Sequence, residues 1–172
     1  MNNEEDIDYI FLSQIESQCK YAINSLKKID RCMQSVKMDD DLWQELQSLM
    51  ISLGNISKIL VPVKDKYKSR GERLKKTLDI NDSFAILKRN CRNYFEHFDE
   101  RIEEWALKNS KGYIDMVIFK GNEENIPGTL SNCIMRTFDY DKWEVRFGDD
   151  TFEIKPVIDE LIYIYKKTIE NK

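Results

Sequence analysis

Apolar residues recur along the first third of the chain at steps of three and four, the spacing that lines one face of an α-helix. Ile7, Phe11, Ile15, Cys19, Ala22, Leu26, Ile29, Met33 and Val36 carry this stripe and predict a first helix from Asp6 to Val36. Its near-heptad spacing suits a bundle or a two-chain helical seam. Asp39, Asp40 and Asp41 then supply N-caps and negative charge where the next helix dipole favours them. Leu42, Leu46, Leu49, Leu53, Ile56 and Leu60 make a second stripe, which Pro62 stops. A third stripe, Phe84, Leu87, Cys91, Tyr94, Phe98, Ile102 and Trp105, predicts one long amphipathic helix capped by Asn81, Asp82 or Ser83.

After Asn109 the helical period disappears. Tyr113 to Phe119, Ile134 to Phe138, Trp143 to Phe147 and Thr151 to Ile154 read as short strands, separated by turn-rich segments at Gly121 to Gly128 and Gly148 to Asp150. Pro156 can open a last helix, with Val157, Ile158, Leu161, Ile162, Tyr165 and Ile169 facing inward. The expected fold is mainly α: an up-and-down helical bundle of four to five helices with a small antiparallel β-hairpin or sheet inserted before the last helix. One domain is expected over residues 1–172, its bundle formed by residues about 6–108 and 156–171 and its β appendage by about 112–154.

A chain of 172 residues can bury a core of its own. Its formal charge of -4 argues against a general nucleic-acid coat, so any nucleic-acid contact has to be local. The acidic start lacks the basic and apolar regions of a secretory signal, and no apolar run reaches membrane-spanning length. A cytoplasmic protein without membrane contact is expected. The cysteines at 19, 32, 91 and 133 are scattered without a CxxC pair, which suits free thiols better than disulfides or zinc. No Walker A sequence, GxGxxG or calcium loop is present, so neither metal nor cofactor is expected.

Two stretches carry candidate chemistry. Residues 64–76 hold seven basic and two acidic residues on an otherwise acidic chain. Lys64, Lys66, Lys68, Arg70 and Arg73, followed by Lys88 and Arg89, could track an RNA backbone, and a solvated charge run is the plainer reading. The second stretch holds His97, the single histidine in the sequence and the side chain best suited to proton exchange near neutral pH. Asn93, His97, Arg101 and Glu104 form a polar stripe at helical spacing. On a continuous helix Arg92 and His97 would lie about 140° apart, so Arg92 would have to reach sideways to share a site. An Arg92–Glu96 bridge and a solvated His97 are the alternative.

The run Arg92-Asn93-Tyr94-Phe95-Glu96-His97 resembles the R-x4-H motif of the HEPN superfamily, in its form with Asn after Arg. The resemblance covers the helical portion of the chain. It implies a small helical bundle and a metal-independent endoribonuclease of toxin or defence type, with catalysis at Arg92 and His97 and support from Asn93. Arg92 would stabilise phosphate oxygens, and His97 would act as base or acid in attack of the RNA 2′-hydroxyl on the phosphodiester. Some family toxins carry a tyrosine two positions after the histidine that a partner nucleotidyltransferase modifies; Asp99 stands there in this chain. Other members are catalytically silent dimerisation or protein-binding modules, which is the alternative function. One histidine per chain, against two proton transfers, leads to an expected homodimer with a composite site, as HEPN nucleases typically form. Glu96 or Glu100 is the competing second group. RNA is the expected substrate, and an antitoxin or defence-system protein the expected further partner.

Overall fold

The protein is described by a computed structural model covering residues 4–34, 40–88, 97–109, 112–121 and 133–171. Its α-helices there are α1 (Glu4–Gln34), α2 (Asp40–Leu60), α3 (Lys68–Thr77), α4 (Phe98–Lys108) and α5 (Lys155–Glu170). Four strands, β1 (Val117–Phe119), β2 (Arg136–Asp139), β3 (Glu144–Phe147) and β4 (Asp150–Glu153), precede the last helix. The expectation of a mainly α fold with a small β element before the last helix holds. The chain divides into two compact units, one formed by Met1–Phe95 with Pro156–Lys172 and the other by Glu96–Lys155.

In the first unit the two N-terminal stripes face each other. Leu12, Ile15, Cys19, Ala22 and Ile29 of α1 are buried, as are Leu42, Leu46, Leu49, Leu53, Ile56 and Leu60 of α2. Burying each such Leu or Ile stabilises the fold by roughly 1.5–3 kcal/mol before chain entropy is counted. Polar clamps fix the register and show the two helices to be antiparallel. Glu45 accepts from Ser25 at 2.9 Å and from Lys28 at 2.6 Å, while Asn55 donates to Gln18 at 3.2 Å. Cys19 packs inside this seam, where burial, with Glu16 nearby, pushes its thiol up to about 12. Ile7, expected inward, is exposed, as are Ile162 and Ile169 on α5; Val157 and Leu161 are buried as expected, and Ile164 and Thr168 complete the buried face of that helix.

The segment after Pro62 becomes a 3-10 turn, Asp65–Tyr67, that leads into α3. α3 crosses the end of α2 closely at Gly71: a Cβ there would sit 2.5 Å from Leu60 O. Only a residue without a side chain permits that approach.

The long helix expected from Phe84 to Trp105 is not continuous. Ala85–Leu87 is a 3-10 turn, and Lys88 is extended with ψ 144°. Glu160 of α5 takes the N–H groups of Ala85 and Ile86 at 2.7 and 2.9 Å, satisfying donors that open the turn. Helix α4 begins at Phe98, preceded by His97 at φ -109°, ψ 46°. The middle of the expected helix, with Cys91 and Tyr94, lies outside the described residues. As a result α4 groups with the strands rather than with the bundle that residues 6–108 were expected to form.

The second unit is a sheet in the order β1-β2-β3-β4 with α4 in the same unit. β2, β3 and β4 run antiparallel, but β1 pairs with β2 in parallel, so the sheet is mixed and not purely antiparallel. A parallel neighbour requires a crossover connection between the two strands, which local alternation does not reveal. β1 is also shorter than the expected Tyr113–Phe119 strand, because Met116 adopts φ +58° and only an isolated bridge joins Ile114 to Ile134. β2 is buried along its whole length, including Arg136, Thr137 and Asp139. Asp139 Oδ1 accepts from the N–H groups of Asp141 and Lys142 at 3.0 and 3.1 Å and so closes the turn into β3. α4 contributes Phe98 and Trp105 to this unit: Phe98 lies 5.8 Å from Phe147, and Trp105 meets Tyr113 edge-on at 5.9 Å.

Candidate functional site

α4 sets out the candidate groups. Asp99 and Glu100 occupy its first turn and Lys108 its last, the order that complements the helix dipole. His97 precedes the first turn, and its carbonyl accepts from Arg101 N–H at 3.1 Å. Its ring is exposed, with Nδ1 3.2 Å from Glu100 Oε2. With Nδ1–H donating to that carboxylate, the lone pair is left on Nε2, the arrangement that orients a histidine base.

Arg101, Glu104, Trp105 and Lys108 continue from His97 and line one wall of a groove of about 480 Å³. The opposite wall comes from the β3–β4 hairpin, and Ile134 also lines the space. Ion pairs join the walls near both ends: Arg101 to Asp150 at 2.8 Å, and Lys108 to Asp149 at 3.4 Å. The polar stripe expected on this helix therefore exists from His97 through Arg101 and Glu104. Arg92 and Asn93, the other expected catalytic residues, lie outside the described residues, as does Arg89.

Beneath the head of α4 sits a network with no sequence signal. The guanidinium of Arg136 takes both carboxylate oxygens of Asp115, with Nε at 2.8 Å from Oδ1. Tyr113 Oη donates to the same carboxylate at 3.0 Å, and Met116 N–H donates at 2.8 Å. Burial pushes the Asp115 carboxyl up, but Arg136, Tyr113 and Met116 outweigh it and hold the group below the usual carboxylate range. Arg136 also lies 5.2 Å from the Phe98 ring and 5.9 Å from Phe147. The pair thus braces the first residue of α4, next to His97.

The expected RNA-binding strip is built differently. Lys64, Lys66 and Lys68 are exposed, and Lys88 is exposed at the end of the 3-10 turn. Lys68 pairs with Asp65 at 2.6 Å, and Lys66 lies 4.7 Å from the centre of the Tyr67 ring. Arg70 stacks on Phe11 at 4.1 Å and donates to Ile59 O at 3.3 Å. Arg73 forks onto Asp8 at 2.8 and 2.9 Å and reaches Glu4 at 3.0 Å. Lys75 is buried between Glu72 and Asp82. This strip belongs to the first unit and His97 to the second.

Among the described residues no group of three or more His, Cys, Asp or Glu is placed to hold a metal ion. Among them, too, no single helix is long and apolar enough to cross a membrane. Cys19, Cys32 and Cys133 are held as thiols and not in disulfides. Comparison with protein-family models, with curated proteins and with solved structures finds no match.

Proposed function

We propose that this chain is a metal-independent endoribonuclease resembling HEPN toxins and defence nucleases. The observation that carries this reading is His97, exposed at the head of α4 with Nδ1 against Glu100, in a sequence where Arg92 and Asn93 precede it at the family's spacing. Nε2 of His97 takes the proton of the RNA 2′-hydroxyl, whose oxygen attacks the adjacent phosphorus. The bond from phosphorus to the 5′-oxygen breaks, leaving a cyclic phosphate, and the departing oxygen needs a proton from a second group. A second His97 in a homodimer supplies it, and Arg92 stabilises the charge that grows on the non-bridging oxygens. Glu100 acts here as the partner that orients the ring, so it is unsuited to be that second acid.

The purified protein is expected to cut RNA with chelator present. Loss of cutting on chelation, or equal cutting by His97→Ala, overturns the reading. Light scattering tests the composite site: an active monomer excludes it.

A catalytically silent binding module is the second reading, favoured by one feature. Lys68, Arg70, Arg73 and Lys75 satisfy acids, rings and carbonyls within the chain, which leaves less of the strip for a phosphate backbone. A protein that binds a partner and never cuts RNA fits that reading.

A further inference from the structure

Helix α5 carries two stripes at helical spacing. Val157, Leu161, Ile164 and Thr168 form the buried one. Ile158, Ile162, Tyr165 and Ile169 follow the same steps of four, three and four, about 100° further round the axis. This second face is left open. Ile162 keeps 40% of its surface exposed and Ile169 54%, while Ile158 and Tyr165 are half-buried. Covering such residues is favourable, so an open apolar stripe marks a contact surface. We propose that this face is the seam of a homodimer, in which α5 packs antiparallel against α5 of a second copy. The apolar pattern reads the same from either end of the helix. About a two-fold axis between residues 163 and 164, Ile158 falls opposite Ile169 of the second copy, and Ile162 opposite Tyr165. Charge then sets the direction. Asp159 and Lys166 are exposed along one edge of the stripe, about 20° apart around the axis. Among the described residues neither side chain has a partner within the chain. The two-fold keeps that edge on the same side of both helices. Antiparallel packing therefore brings Asp159 to within two positions, about 3 Å of axis, of Lys166 in the second copy, and repeats the pair with the roles exchanged. Parallel packing would set Asp159 against Asp159 and Lys166 against Lys166, and like charges repel. A face that complements itself in both apolar pattern and charge fits a second copy of this chain. The seam does not rest on the RNA reading, because none of its residues belongs to the site built around His97.

Sedimentation velocity of the full chain over a range of concentrations tests the seam. The wild type should sediment as a dimer that dissociates on dilution. Ile162→Glu should sediment as a monomer with the helical circular dichroism of the wild type. Should that variant unfold, Ile169→Glu, at the more exposed position, carries the same test. Asp159→Lys should weaken association about tenfold, and adding Lys166→Asp to it should restore association. A wild type that stays monomeric throughout overturns the seam and leaves the open face to another partner. A dimer that survives the glutamate substitutions, or a double swap that fails to restore association, overturns it as well. Sedimentation reads association without cleavage. A dimer that never cuts RNA keeps the seam and sinks the nuclease reading, whereas RNA cutting by a monomeric wild type sinks the seam and leaves the nuclease reading standing without its composite site.

Discussion

In residues 64–76, Arg73 turns its fork to Asp8 and Glu4, Arg70 covers Phe11, and Lys75 is enclosed by Glu72 and Asp82. On α4 the charged residues run along the outside of the helix: His97 and Glu100 meet at its exposed head, and Arg101, Glu104 and Lys108 edge a groove. Both stretches are rich in charge, and composition alone favours the first as the place where an anion binds. Geometry withdraws that preference, since Arg101 and Lys108 meet Asp150 and Asp149 just as the cations of the strip meet partners within the chain. A cation already satisfied by a bidentate carboxylate must give up that contact before it takes a phosphate, and its excess charge is cancelled nearby. Charge density in a sequence therefore says little until its internal partners are known.

The sharpest test of the comparison removes the imidazole that precedes α4. His97→Ala should lower RNA cleavage roughly 100-fold or more while the melting temperature holds, since the ring is exposed. A variant that melts early and loses activity in proportion would give His97 a packing role instead.

Next in size is the brace below the helix. Asp115→Ala leaves Arg136 buried without its carboxylate and should cost about 3–5 kcal/mol of stability, read by chemical denaturation. The same network predicts a pH dependence. The Asp115 carboxyl is held below its ordinary value of about 3.9, so its stabilising contribution is complete above that value and drains away as pH falls through the lower folded value. Asp115→Asn should flatten the acid limb of the melting curve as pH falls below the ordinary carboxylate range. Identical acid limbs in the two proteins would contradict this.

A smaller loss is expected from Gly71→Ala, where the added Cβ meets Leu60 O and Pro62 Cδ, both parts of the backbone or its ring. Overpacking of this kind costs about 1–3 kcal/mol. An unchanged denaturation midpoint would show that α3 can shift away.

The smallest effect bears on the strip itself. Replacing Lys66, Lys68 and Arg70 by glutamine should change the salt dependence of RNA binding little, because two of the three act mainly within the chain. A slope that flattens by two or more would return the strip to RNA. Arg73→Ala should show instead as faster amide exchange in the first turns of α1, where Asp8 and Glu4 lose their clasp.

The residues themselves determined the two long helices, their facing stripes, the last helix and the change to short strands after Asn109, because a periodic burial pattern is written locally. The polar stripe at His97, Arg101 and Glu104 was legible for the same reason. Period reports which face could be buried, not whether the backbone stays helical to use it. So Phe84 and Leu87 kept the helical spacing while Glu160, from the far end of the chain, drew residues 85–87 into a 3-10 turn. Tertiary structure alone decided the parallel pairing of β1 with β2, the union of Asp115 with Arg136, the fork of Arg73 onto Asp8, and the groove that β3 and β4 close against α4. Each joins residues far apart along the chain. Such contacts form when the burial of other residues brings their ends together, and they leave no period in the sequence from which to read them.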